Sequence, residues 1–164
     1  MNSTAPIACG PLVDHHRSVR ARMVITDGWE FAAEFDGRAA ELARAQTAVG
    51  VADLSHLPKP QMVGPGPESG HFAAFELVGP RVEELLRQLT LIDVSARAFP
   101  PGQCAQTGVA RIPTIVIRPI SATLPRVQLW CAREYGQYLW ETLLERARPL
   151  GGGALGAEAW HATF

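Results

Sequence analysis

Residues 20–57 read RARMVITDGWEFAAEFDGRAAELARAQTAVGVADLSHL and determine which architecture the chain adopts. The β-branched run at 21–26 is typical of a strand, and the turn dipeptide Asp27-Gly28 separates it from a second candidate strand at 29–35. We therefore expect a β-hairpin. After this hairpin the apolar spacing becomes helical, and Gly50 is expected to end the helix.

The end of this segment places an Asp, a Ser and a His within four residues, at Asp53, Ser55 and His56. Adjacent side chains point in different directions, so Ser55 and His56 do not form a nucleophile and its base. Asp53 and Ser55 are instead predicted to hydrogen-bond the local backbone of a turn. We therefore interpret this stretch as part of the scaffold.

The rest of the chain alternates predicted strands and helices. Strands are expected at 71–79, 109–119 and 127–132, and helices at 80–89 and 133–147. Pro113 lies inside the second of these strands and indicates an edge strand or a bulge. Helices mixed with a mainly antiparallel sheet make an α+β layer fold.

Segments rich in glycine and proline indicate the domain organisation. Residues 58–70 contain four prolines and three glycines, which predicts an exposed loop. The tail is expected to start as a flexible linker and to dock its aromatic end, Trp160 and Phe164, on this chain or on a partner. The expected organisation is an N-terminal arm at 1–19, one α+β domain at 20–150 (or two small lobes split near 58–70), and a Gly-rich tail at 151–164.

Composition disfavours several classes of protein. The chain has 164 residues, 47% hydrophobic and 19% charged, with a formal net charge of -1, so disorder and nucleic-acid binding are disfavoured. No apolar run is long enough to cross a bilayer and no secretion signal is recognised, so a cytoplasmic location is expected. The three widely spaced cysteines predict free buried thiols, and the adjacent His15 and His16 do not make a metal pair.

Residues 20–110 resemble a known family. The order of strand, GW turn, helix and strand over 20–57 is similar to the amino-terminal segment of the glycine cleavage T protein, a folate-dependent aminomethyltransferase. Two later segments resemble that family as well, LVGPRVEELLRQLTLIDV at 77–94 and PPGQCAQTGV at 100–109. The resemblance implies a T-protein-like folate-binding-domain fold with ferredoxin-like β-α-β units.

The chain departs from the T protein where that family carries its catalytic aspartate. No Asp or Glu occurs between Asp93 and Glu134. The arginines found there cannot replace a carboxylate that steers protons, because they accept no hydrogen bond. Gln106 stands where the family has a folate-facing tyrosine. We therefore predict no catalytic residue and no metal ligand in this chain.

Residues 127–147, VQLWCAREYGQYLWETLLERA, resemble the closing strand and helix of gamma subunits of heterotetrameric sarcosine oxidase and related N-methyl amino-acid dehydrogenase complexes. This resemblance implies an accessory subunit without a redox centre of its own. The implied partners are an alpha-like large subunit with a folate-binding portion, a beta-like flavin subunit and a small delta-like zinc subunit. The implied cofactors of the complex are FAD, FMN, NAD and tetrahydrofolate. The residues implied to face folate are His56, Leu57, Gln106 and Thr107.

Two other functions are considered. A free-standing folate-binding protein or small aminomethyltransferase-like enzyme would need a carboxylate in its pocket, for which Asp53 and Asp93 are the upstream candidates. A folate-dependent protein of iron-sulfur assembly is disfavoured, because the K-G-C-Y-x-G-Q-E motif of that family is missing and the only lysine is Lys59.

Five arginines fall in the region that lacks carboxylates. On strands these side chains would alternate between faces, and we expect them to be solvated or paired with the carboxylates of a partner. An attraction of Arg111 and Arg118 for the glutamate tail of folate is the alternative. The five are Arg97, Arg111, Arg118, Arg126 and Arg133.

Overall fold

The computed structural model describes residues 8–57, 71–120 and 123–164, and the expected loop at 58–70 lies outside these ranges. Within them the chain mixes helices with mainly antiparallel strands, so the predicted α+β class is confirmed. The described strands form a smaller and a larger sheet.

The smaller sheet contains the predicted hairpin. Its strands, in the order β1-β3-β2, are β1 (Ala8–Cys9), β2 (Arg22–Thr26) and β3 (Trp29–Glu34). Thr26 pairs with Trp29 across the turn, where Asp27 and Gly28 have φ of 52° and 80°. Two positive φ angles match the twist of a hairpin, and Asp-Gly is a favoured pair for such a turn.

The larger sheet has the strand order β6-β7-β8-β5-β4-β9 in the described residues. All its pairs are antiparallel except β4 with β9. Strands β8 and β9 therefore run in the same direction and flank β5 and β4. The strands are β4 (Gly50–Asp53), β5 (Phe72–Val78), β6 (Cys104–Val109), β7 (Ile112–Ile117), β8 (Arg126–Ala132) and β9 (Gly153–Leu155).

Helices cover both faces of the larger sheet. They are α1 (Val13–Ser18), α2 (Arg38–Thr47), α3 (Val82–Arg87), α4 (Gly136–Ala147) and α5 (Ala157–His161). Short 3-10 turns, Arg133–Tyr135 and Arg148–Leu150, flank α4. Helix α4 connects β8 to β9, which makes a β-α-β unit around the two strands that lie between them.

Two core clusters lie on opposite faces of this sheet because side chains alternate along each strand. The face covered by α4 carries Phe75 and Leu129 of the sheet, which pack with Leu139 and Leu143 of that helix. We call the other side the tail face, because Trp130 there packs in a cluster with residues of β9 and α5. The tail-face cluster includes Ala45, Ala52, Ala74, Trp130, Leu155, Ala159 and Trp160.

Three details of the sequence interpretation were wrong. Helix α2 ends at Thr47, and Gly50 begins β4. The strand expected at 109–119 is the second half of a hairpin whose first half, β6, was missed, so Pro113 lies in a strand with neighbours on both sides. Pro113 is tolerated because the described ladder from β7 to β8 begins one residue later, at Thr114.

The C-terminal segment begins as ordered structure, so the expected flexible linker was wrong. Residues 153–155 pair with β4 as a parallel strand. The expectation of a docked aromatic end is confirmed for Trp160, which is 8% exposed, and Phe164 contacts it edge to face while staying largely exposed. Side-chain spacing did not reveal this pairing, because short Gly-rich strands carry no periodic signal.

Candidate functional site

The four residues predicted to face folate lie at two separate cavities. His56 and Leu57 line a cavity of about 360 Å³ beside the β2–β3 hairpin, together with His161. The ring of His56 stacks on Phe31, with 4.0 Å between ring centroids and 10° between planes. Since this stack orients the imidazole against the hairpin, His56 is held by the small sheet and not by the β6 region.

Gln106 and Thr107 line a second cavity of about 360 Å³ over β6, β7 and β8, which we call the sheet cavity. They are neighbours in β6, so their side chains point to opposite faces of the sheet. Gln106 is exposed, whereas the hydroxyl of Thr107 meets that of Thr90 at 3.4 Å. The fold therefore separates the pair His56 and Leu57 from the pair Gln106 and Thr107, and the role of these residues in binding folate stays a prediction.

The sheet cavity has an aromatic and apolar lining with a few polar groups. Phe72 and Trp130 supply rings, Gln106 and Thr114 supply hydrogen-bonding groups, and Arg111 supplies a positive charge. None of the described residues that line it is an aspartate, glutamate or histidine. This lining suits a flat apolar ligand with hydrogen-bonding edges, but it offers no group that takes up a proton near neutral pH.

Cys131 borders the sheet cavity but is unsuited to nucleophilic chemistry. Burial, assisted by the charge of Glu134, raises the pKa of the Cys131 thiol to about 12. The thiolate is the nucleophilic form, and it is scarce at neutral pH when the pKa is so high. The expectation of buried thiols holds for this residue only, because Cys9 and Cys104 are exposed.

The sequence cluster at 53–56 forms part of a hydrogen-bonded network with a different histidine. Asp53 Oδ2 lies 2.9 Å from Nε2 of His16, whose side chain is 1% exposed. The backbone N–H and the hydroxyl of Ser55 donate to Asp53 Oδ1 at 2.9 and 2.6 Å. The predicted turn role of Asp53 and Ser55 is thus confirmed, whereas the pairing with His16, 37 positions earlier, had no local signal in the sequence.

This network has the wrong order for nucleophilic catalysis. Asp53 lies between serine and histidine, whereas a catalytic histidine must lie between the nucleophile and the acid. The Ser55 hydroxyl is also bound from the other side by the N–H of Ala74 at 3.1 Å. Burial would raise the pKa of Asp53, but the hydrogen bond and charge of His16, with the Ser55 hydrogen bonds, hold it below its usual value. We interpret the network as a structural link between α1 and the end of β4.

Two other buried carboxylates are also bound within the fold. Glu41, 0% exposed, accepts hydrogen bonds from the backbone N–H groups of Phe35, Asp36 and Gly156. Glu76, 1% exposed, lies on the tail face and accepts hydrogen bonds from side chains. Its donors are Arg126, Gln128 and Trp160. Neither carboxylate lines one of the two cavities.

The arginines of the carboxylate-poor region divide into two groups. Arg118 and Arg126 are buried and bind inside the chain, Arg118 through the Val94 carbonyl and Arg126 through Glu76, so the expectation of solvated or partner-bound side chains was wrong for both. The reason is that internal acceptors at fixed positions compensate their desolvation. Arg111 is exposed at the β6–β7 turn and lines the sheet cavity.

In the three described ranges, no helix is long and apolar enough to span a membrane. The same ranges contain no group of three or more His, Cys, Asp or Glu side chains arranged to hold a metal ion.

One family model and several curated proteins are similar to parts of this chain. The family model described as the GCVT N-terminal domain matches residues 67–163, more than half of the chain. An aminomethyltransferase of Mycobacterium tuberculosis (strain ATCC 25618 / H37Rv) is 36% identical over 66 residues, which are 40% of this chain and 18% of that protein. One of Parafrankia sp. (strain EAN1pec) is 41% identical over 58 residues, 34% of this chain and 16% of that protein. The matched region is thus less than a fifth of the length of these curated relatives.

A solved structure is similar over almost the whole chain. It is a chain of the heterotetrameric sarcosine oxidase from Corynebacterium sp. U-96, in complex with pyrrole 2-carboxylate, at 17% identity and a TM-score of 0.50. The likeness covers 87% of this chain and 95% of that one. At this identity it shows the fold alone. Together with the family match it confirms the T-protein-like fold predicted from the sequence, and the chain belongs to the GCVT N-terminal domain family.

Proposed function

We propose that the chain is a non-catalytic, gamma-like subunit of a heteromeric flavoenzyme complex. The complex would oxidatively demethylate sarcosine or a related N-methylated amine and support transfer of the one-carbon unit to tetrahydrofolate. The observation that carries the proposal is the structural likeness to a chain of a heterotetrameric sarcosine oxidase. This likeness covers 95% of that chain, so the two chains are similar over almost their whole length.

The chemistry of the sheet cavity supports a role without catalysis. Oxidative demethylation and folate transfer both need groups that move protons, and the described lining of the sheet cavity has no carboxylate or imidazole. The buried carboxylates of the fold, such as Glu41 and Glu76, are used by internal hydrogen bonds. A cavity with this lining is better suited to binding than to proton transfer.

The proposal assigns cofactors and chemistry to other subunits. An alpha-like large subunit would carry the folate-binding portion, a beta-like subunit would carry flavin, and a small delta-like subunit would carry zinc. FAD, FMN, NAD and tetrahydrofolate would then be bound by the complex, in the cytoplasm, with His56, Leu57, Gln106 and Thr107 of this chain as candidate folate contacts.

A second candidate is a free-standing folate-binding protein or small aminomethyltransferase-like enzyme. It is favoured by the name of the curated relatives and by the aromatic lining of the sheet cavity, where Trp130 and Phe72 could hold a flat ring. It requires that the isolated chain bind folate without a partner.

Two measurements on the full chain separate these functions. Co-expression with an alpha-like subunit from the same organism should give one peak in size-exclusion chromatography that contains both proteins. Calorimetric titration of the isolated chain with tetrahydrofolate should give no binding in the micromolar range. Elution of the two proteins in separate peaks would refute the subunit proposal, and micromolar binding by the isolated chain, lost in Trp130→Ala, would establish the second candidate.

A further inference from the structure

We propose that a groove between the end of α3, the β6–β7 turn and α4 binds an acidic segment of a partner protein. The inference rests on the proposed function in one respect, since it takes the partner to be the alpha-like subunit and names the surface on which that subunit docks. The groove shares Thr107, Gly108 and Arg111 with the sheet cavity, and it shares no described lining residue with the cavity at His56.

The groove is an elongated depression of about 600 Å³. One wall is a stripe along α4 formed by Tyr138, Thr142 and Arg146, which are spaced four residues apart and therefore follow each other on one face. Eight residues of helix rise about 12 Å, which matches three to four residues of an extended peptide. The opposite wall is formed by residues 87–91 and by the β6–β7 turn.

The charge of the groove has one sign. Arg87, Arg111 and Arg146 line it, and none of its described lining residues is an aspartate or glutamate. Arg87 lies 3.6 Å from Glu83, and its side chain is 64% exposed. Within the described residues, the side chains of Arg111 and Arg146 form no hydrogen bond or ion pair, so their positive charges are available to a ligand. A patch of this kind attracts carboxylates and accelerates association with an acidic partner.

Exposed apolar groups accompany these charges. Leu91 has an exposure of 103%, and Tyr138 is 53% exposed. Arginine and tyrosine are enriched among the residues that contribute most to protein interfaces, and an exposed leucine beside them gains from burial. A small polyanion would use the arginines but leave Leu91 in water. The combination therefore favours a protein segment that carries both carboxylates and an apolar side chain.

The backbone holds the β6–β7 wall in place. Ala110 and Arg111 form the two-residue turn with φ of 51° and 68°, in the left-handed region that Gly, Asn and Asp usually occupy in such turns. The N–H of Ala110 donates to the Leu89 carbonyl at 2.8 Å and so fixes the turn against the α3 exit. Non-glycine residues in this conformation store backbone strain, which is concentrated at functional sites in many proteins. Arg111 is thereby presented from a turn with a defined position.

The test compares charge reversal inside and outside the groove in the complex with the co-expressed alpha-like subunit. The groove variant is Arg111→Glu/Arg146→Glu, and the matched control is Arg38→Glu/Arg97→Glu, which reverses two exposed arginines elsewhere. Circular dichroism and urea unfolding of each isolated chain should match the wild type, because exposed substitutions seldom change stability. Affinity is measured by surface plasmon resonance at two or more salt concentrations.

We expect the groove variant to weaken the complex by about tenfold or more and to reduce its dependence on salt, while the control stays close to the wild type. Wild-type affinity in the groove variant, or an equal loss of affinity in the control, would overturn the inference about the groove and leave the proposed function unaffected. Absence of a complex with the wild-type chain would overturn it together with the proposed function. Groove-dependent binding of an oligoglutamate peptide by the isolated chain, with an intact complex in the groove variant, would assign the groove to a small polyanion and refute the docking role.

Discussion

Replacement of Glu76 by glutamine tests the buried network on the tail face. Glu76 and Arg126 have side chains that are each 2% exposed, with Oε2 and Nη1 separated by 3.3 Å. The same carboxylate accepts hydrogen bonds from Gln128 Nε2 at 3.1 Å and from the indole N–H of Trp160. Glu76→Gln keeps the shape of the side chain, removes its charge and leaves one oxygen for three donors.

The expected loss is large because a buried cation remains without its counter-ion. Breaking a buried ion pair by removal of one partner costs about 3–5 kcal/mol, part of which is the penalty of leaving the other charge buried. Folded domains have a free energy of unfolding of roughly 5–15 kcal/mol, so Glu76→Gln should remove a substantial fraction of it. For a chain of this size, 1 kcal/mol corresponds to about 2–4 °C, and we expect the melting temperature to fall by roughly 6–20 °C.

Urea unfolding followed by circular dichroism measures the change in the free energy of unfolding. Arg126→Met removes the cation, so the double variant Glu76→Gln/Arg126→Met should be less destabilised than the sum of the two single variants. Glu84→Gln is the matched control, because Glu84 forms an exposed pair with Arg81 and should show no measurable change. A loss below about 1 kcal/mol in Glu76→Gln would refute the assignment of the network as a main stabilising contact of the tail face.

Two further predictions concern single positions. The folded state lowers the pKa of Asp53 from its ordinary value of 3.8, so this carboxylate contributes stability above that value, which is lost as the pH falls through the lower folded-state pKa. Urea midpoints measured from pH 7 to pH 2 should therefore fall less steeply in Asp53→Asn than in the wild type, and parallel curves would contradict this role. A Cβ added at Gly156 would lie 2.3 Å from the Ala33 carbonyl oxygen, whereas at Gly108 it would meet no heavy atom within 4 Å. Gly156→Ala should therefore lower the free energy of unfolding by about 1–3 kcal/mol and Gly108→Ala by less than about 0.5 kcal/mol, and equal melting temperatures would show that the close approach is relaxed at no cost.

Local patterns were sufficient where the structure depends on neighbours in sequence. The Asp27-Gly28 turn, the strand at 71–79 and the helix at 133–147 were predicted, since turn chemistry and periodicity act within a few residues. The turn at Ala110-Arg111 was missed, because alanine and arginine rarely adopt positive φ. Strand β6 was consequently missed, and only β7 lay within a predicted strand.

Contacts between distant residues were beyond the reach of local patterns. The bond between His16 and Asp53 and the pairing of β9 with β4 depend on tertiary arrangement, and neither has a spacing rule. The candidate folate residues were chosen by resemblance to a family, and the separation of His56 from Gln106 depends on the position of the small sheet. The arginine groove likewise combines three segments that no single stretch of sequence displays.

The parallel pairing of β9 with β4 has a consequence for how the chain folds during synthesis. The Glu41 carboxylate receives its third backbone donor from Gly156, 115 residues later. Until that part of the chain has left the ribosome, β4 is an unprotected sheet edge, and Glu41 lacks one of its partners. Contacts of such long sequence separation slow folding, so the nascent chain passes through a period in which this edge is open to chaperones or to aggregation. Pairing of residues 153–155 with β4, together with the Gly156 hydrogen bond, thus covers this edge of the sheet, and we expect it to limit misassembly of the newly made chain.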